Sequence, residues 1–212
     1  MNPTASSPCR ALLLIDVQNE YFDGRLRIDF PDPALSLANI REAAKAAAAA
    51  GIPIVVVQQV APETSPVFAR GSHGFALHPD IAALPAALHV EKALPSSFTG
   101  TGLEDWLRQH GIDTLTVCGY MTHNCVNSTI VDAVHRGWQV EFLSDASGSL
   151  PYENAAGRMS GEQAHQVFSV VFQSRFAAVM STQEWLDVLA GKAVPVRDNI
   201  PASHARAVSP RA

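Results

Sequence analysis

Short apolar runs, rich in β-branched residues, recur along this chain with helix-period segments between most of them, and that alternation restricts the fold more than any other feature. The runs are "ALLLI" at 11–15, "IPIVVV" at 52–57, "ALHV" at 87–90, "TLTVCG" at 114–119, "WQVEFL" at 138–143 and "FAAVM" at 176–180. Runs this short suit strands buried on both faces. The segments 34–50, 101–110, 122–136, 160–173 and 182–190 carry helical spacing. The pattern predicts an α/β fold, with a parallel sheet covered by helices on both faces.

Local punctuation agrees. "TGLE" at 101, "SGEQ" at 160 and "STQE" at 181 each place Ser or Thr three residues before Glu or Gln, as a capping box does. Gly51, Gly111 and Gly137 follow helical segments, and His110 and Arg136 put basic side chains against two helix ends. Two stretches break the alternation. Residues 61–82 form a long connection rich in Pro, Gly, Ser and His, the kind of loop that is usually functional or disordered. The stretch from Gly191 onward reads as an extended arm. The expected organisation is an N-terminal extension over 1–10, one domain over 11–190 and a C-terminal arm over 191–212.

Composition bounds the function. With 15 Lys and Arg against 20 Asp and Glu, scattered along the chain, no basic groove for nucleic acid and no polybasic membrane patch is indicated. The first ten residues lack a signal-peptide pattern, and no apolar run nears the roughly 18 residues that span a bilayer. The expected location is cytoplasmic. Three cysteines, Cys9, Cys118 and Cys125, without CxxC spacing argue against a disulfide framework or structural zinc.

In an open parallel sheet, ligands gather beyond the carboxyl ends of the strands. There the sequence places Asp16 after the first run, Lys92 after the third and "GYMTHNCV" after the fourth. Thr122 reads as an N-cap, which makes Cys125 the third residue of a helix and sets its sulfur near unpaired N–H groups. Helix start and Lys92 are both expected to lower the thiol pKa, with Asp16 able to take the proton, so the three side chains can generate a nucleophile. Cys118, inside the strand run, reads as core.

The set "DVQNEYF", "EKALPSSFTGTGLEDWL", "GIDTLTVCGYMTHNCVNSTIVDAVHRGW" and "LSDAS" resembles the isochorismatase-like cysteine hydrolases, a group that includes nicotinamidase and N-carbamoylsarcosine amidase. The resemblance runs from about residue 11 to 189. It implies a doubly wound three-layer α/β/α sandwich on a six-stranded, mainly parallel sheet, and a catalytic triad of Asp16, Lys92 and Cys125. It further implies an oxyanion hole made by the backbone N–H groups of Met121 and Cys125, with a non-proline cis peptide between Tyr120 and Met121. The activity implied is hydrolysis of a small carboxamide, ureido or imide C–N bond through a thioester.

Nicotinamidases resemble one another in an Asp-x-His after the second strand that helps to hold a metal; here the stretch reads "VVVQQVAPETSPVF". No metal and no cofactor are therefore expected, and His73 and His78 remain as loop histidines. Phe22, Phe75, Phe98, Tyr120 and His123 are candidates for the pocket wall. The expected partner is a small amide substrate, with self-association into a homodimer or homotetramer. The competing reading is a catalytically idle or redox-sensing thiol protein on the same fold.

Overall fold

A computed structural model describes residues 8–209; most of the expected N-terminal extension and the last three residues of the expected arm lie outside the described residues. β1 (Arg10–Ile15), β2 (Ile54–Gln59), β3 (Leu88–Lys92), β4 (Thr114–Tyr120), β5 (Gln139–Gly148) and β8 (Ala178–Met180) form one sheet in the order β3-β2-β1-β4-β5-β8. Every pairing in it is parallel. The chain winds outward from β1 in one direction and returns through β4 in the other, so β1 and β4 flank the point where strand order reverses.

Helices cover both faces, as the alternation requires. α1 (Pro33–Ala49) and α6 (Thr182–Leu189) lie on one face, over Leu12 and Leu14 of β1. α3 (Leu103–Gln109), α4 (Asn127–His135) and α5 (Gly161–Val171) cover the other, over Leu13 and Ile15. Successive side chains of β1 thus enter opposite cores, the consequence of a two-residue repeat in a sheet buried on both sides.

The capping boxes at Ser160 and Ser181 form, each with Ser and Gln or Glu bonding reciprocally. The one expected at Thr101 does not. Gly102 occupies the N-cap, Thr101 Oγ1 donates to the Ser97 carbonyl at 2.6 Å, and Glu104 is drawn instead to Arg108 and Arg136. Short-range spacing was outcompeted there by two guanidinium partners.

Outside the arm, a short helical turn and a hairpin among the described residues have no counterpart in the alternation. α2 (Pro79–Ala82) is a single turn in the long connection, and β6 (Tyr152–Asn154) with β7 (Gly157–Met159) makes an antiparallel hairpin after β5. The arm is not extended throughout: α7 (Ile200–Val208) starts at Asn199, whose side chain accepts from Ala202 N–H at 2.9 Å. An Asn followed by Ile-Pro is itself a helix-start signal, since Pro fits the first turn where N–H groups have no partner. No helix among the described residues is long and apolar enough to cross a membrane.

Candidate functional site

The carboxyl ends of β1, β3 and β4 bring Asp16, Lys92 and Cys125 together. Asp16 turns off β1 with φ of 52°, a left-handed conformation that Asp tolerates better than most residues. Lys92 Nζ donates to Asp16 Oδ2 at 2.7 Å and to Gln59 Oε1 at 2.7 Å. Both charged side chains of the pair are fully buried. Gln59 is itself fixed: its N–H donates to Gln18 Oε1, and Gln18 Nε2 donates to the Gln59 carbonyl. Neither glutamine stands out in the sequence. The available signal was position, Gln59 at the end of β2 and Gln18 two residues beyond Asp16.

Between β4 and α4 the chain makes a wide, π-type turn over Thr122–Val126, preceded by a cis peptide between Tyr120 and Met121. Thr122 is not the N-cap. Met121 holds that position, while the Thr122 hydroxyl donates to the Gly148 carbonyl at 3.1 Å and lies 2.8 Å from His165 Nδ1. The Met121 carbonyl accepts from the N–H of Asn124 and of Val126 and skips that of Cys125 between them. Among the described residues Met121 N–H has no protein acceptor. Gly119, just before, has φ of 106°, and a Cβ there would sit 2.1 Å from the Ile15 carbonyl oxygen. Only glycine lets β4 pass β1 this closely at the reversal point.

Electrostatics correct one expectation. Burial, then the Asp16 charge, pushes the Cys125 thiol up to about 12, although Lys92 pulls the other way. Helix start and ammonium do not outweigh desolvation, because Cys125 is only 4% exposed. Asp16 is also raised, by burial that exceeds the pull of Lys92, which makes it a stronger base than a surface carboxylate. Burial alone would lower Lys92, but Asp16 and Cys125 hold it up, so it stays an ammonium. Asp16 Oδ1 is buried without a hydrogen-bond partner among the described residues.

The expected wall residues divide. Phe22 packs on Tyr120 at 5.7 Å and on His78 at 4.6 Å. Tyr120 is wholly buried behind it, its hydroxyl 2.7 Å from Ser36 Oγ, so it supports the wall from within. His123 lies in the turn, with Nδ1 2.9 Å from Ser149 Oγ. Phe75 lies in the long connection under Arg70, and its carbonyl accepts from Gln18 and Gln58. Phe98 goes elsewhere. It stacks on Trp138 at 5.3 Å beneath Arg136, just before β5, within the core under α3 and α4. Tyr152, unnoticed in the sequence, comes from the hairpin to set its ring edge-on to His123 at 4.9 Å and its hydroxyl 4.0 Å from Met121 Sδ.

The histidines do not assemble a metal site. His73 pairs with Asp23 and His78 caps α2; among the described residues no three His, Cys, Asp or Glu converge. Cys118 is buried, its sulfur 3.8 Å from the Leu13 carbonyl, and Cys9 is exposed far along the chain from either.

Comparison with known proteins gives this geometry its kinship. The isochorismatase domain family matches residues 10–184. A crystal structure of a candidate isochorismatase from Burkholderia xenovorans LB400 shares 58% identity, covering 95% of this chain and 97% of that one, with a TM-score of 0.94. The isochorismatase family protein YddQ of Bacillus subtilis is 28% identical over 83% of this chain and 98% of its own length. N-carbamoylsarcosine amidase of Thermoplasma acidophilum is 26% identical over 82% of this chain and 97% of that one, with a TM-score of 0.66. This chain belongs to the isochorismatase family of hydrolases.

Proposed function

We propose that the protein is a cysteine-dependent amidohydrolase acting on a small carboxamide, ureido or imide C–N bond. One observation carries this reading above the others: a fully buried Asp16–Lys92 ion pair abuts a thiol in a turn whose Met121 N–H has no acceptor among the described residues. Its kinship to an N-carbamoylsarcosine amidase fits the same chemistry.

With the thiol neutral at rest, Asp16 accepts the Cys125 proton as sulfur attacks the carbonyl carbon. The N–H groups of Met121 and Cys125 receive the developing oxyanion, while the Lys92 ammonium holds Asp16 in place and offsets the charge on sulfur. Collapse breaks the C–N bond, and the proton on Asp16 passes to the departing nitrogen. Water then gives a proton to Asp16 and adds to the thioester, and the carboxylic acid leaves as the thiol regains its proton. Phe22 and His123 would line the substrate's approach, and Tyr152 would close it.

The test is a screen of primary amides, ureido acids and cyclic imides with coupled ammonia detection, run on the wild type, Cys125→Ala and Asp16→Asn. Loss of turnover in Cys125→Ala with an unchanged circular dichroism spectrum is expected, and Asp16→Asn should cost about a hundredfold or more. Comparable turnover by Cys125→Ala overturns the reading, and so does failure of mass spectrometry to trap an acyl group on Cys125.

A further inference from the structure

A cavity of about 500 Å³ opens between α1 and α5; Asp16, Lys92 and Cys125 do not line it, and nothing in the proposed hydrolysis uses it. Its volume lies within the range of small-molecule sites. Phe30, Pro31 and Leu35 form an apolar wall, Asp145 and Glu162 bring two carboxylates, and His165 closes the inner end. No Lys or Arg lines it.

The floor is rigid. Asp145 Oδ1 accepts from the Thr182 N–H at 2.7 Å and the Thr182 hydroxyl at 2.8 Å, and the Asp145 carbonyl accepts from Asn39 Nδ2 at 2.9 Å. These contacts hold α1, β5 and α6 together and leave Asp145 Oδ2 without a recorded partner among the described residues. His165 is 7% exposed, packs against Phe30 at 5.7 Å, and is lowered to about 4 by burial, so it faces the cavity uncharged at neutral pH.

The shape and charge select an occupant. An apolar body suits Phe30 and Leu35, a positive end suits the two carboxylates, and an aromatic face adds attraction for a cation. An anion would meet two like charges and no compensating cation. The inner end also has a route to the nucleophile, because His165 Nδ1 lies 2.8 Å from the Thr122 hydroxyl, three residues before Cys125.

We infer that this cavity is a second ligand site, taking a small organic ammonium with an apolar body, and that occupancy acts on the nucleophile's turn through the His165–Thr122 contact. The inference does not depend on the proposed hydrolysis.

Two-dimensional amide NMR of the full chain, titrated with benzylammonium, benzyl alcohol or benzoate, tests it. Saturable shifts with benzylammonium at Leu35, Asp145 and Glu162, at least fivefold tighter than with either control, are expected. Glu162→Gln and Leu35→Ser, both at exposed positions, should each weaken that binding at least threefold while the spectrum stays folded. The rate of Cys125 alkylation by iodoacetamide should change at least twofold at saturating benzylammonium, and this change should vanish in His165→Phe. Equal binding of benzoate, shifts centred elsewhere, or unaltered binding in both exposed variants overturns the site. An unchanged alkylation rate at saturation overturns the coupling.

Discussion

Cys125 and Cys118 are both buried thiols, and their surroundings set them apart. Cys118 faces the core and a carbonyl, with burial pushing its pKa far up. Cys125 has a base and an ammonium beside it. Because burial pushes the Cys125 thiol up to about 12, the thiolate is scarce at neutral pH. Alkylation of Cys125 by iodoacetamide should therefore keep rising from pH 6 to 9, with no plateau; a plateau with a midpoint below 7 would show a preformed thiolate instead. Cys118→Ala should leave catalysis intact and cost about 1–2 kcal/mol in stability, read from urea unfolding.

At the scale of elements, two devices hold the site's strands in register. Gly119 permits the close approach of β4 to β1, and Gly119→Ala is expected to lose about 3 kcal/mol or more through overpacking and backbone strain, lowering soluble yield. At the opposite strand ends, Glu141 on β5 accepts two guanidinium nitrogens of Arg10 on β1, the Thr116 hydroxyl on β4 and the indole N–H of Trp185 on α6. Three elements thus converge on one carboxylate of a fourth, at a residue that is 3% exposed. Arg10→Met would strand that charge, at a cost of about 3–5 kcal/mol, whereas Arg10→Met with Glu141→Gln should recover part of it. Thermal unfolding of the single and double variants checks this.

For the whole molecule, pH stability carries the signature of buried imidazoles. Burial lowers both His123 and His165 to about 4, from an ordinary 6.5. The unfolded chain then binds more protons than the folded one between those values. Stability is fully present above about pH 6.5 and falls as pH drops toward 4. Imidazole NMR should show two rings still neutral at pH 5; titration of every histidine near 6.5 would contradict it. Activity should also survive exhaustive chelation, since His73, His78 and His123 serve separate local partners. If the self-association expected from the sequence occurs, the exposed valines on α5 (Val167, Val170, Val171) and on the arm (Val194, Val196) are the surface predicted to carry it. Light scattering should give a mass above one chain, and Val170→Arg should lower it.

What the sequence by itself determined is what depends on short-range periodicity. Buried strands, helices and most of their stops follow from apolar spacing, Ser caps and Gly ends, because those signals act within a turn or two of chain. The placing of Asp16, Lys92 and Cys125 at strand ends follows too, since a parallel sheet sends every carboxyl end to one side. Tertiary structure alone decided the rest. Thr122 was claimed by His165 and Gly148, Phe98 by Trp138, and Glu104 in part by Arg136, each a contact between residues distant in sequence. The thiol's ionisation went the same way: proximity of Lys92 is visible in a motif, but desolvation depends on how completely the surrounding elements close over the sulfur.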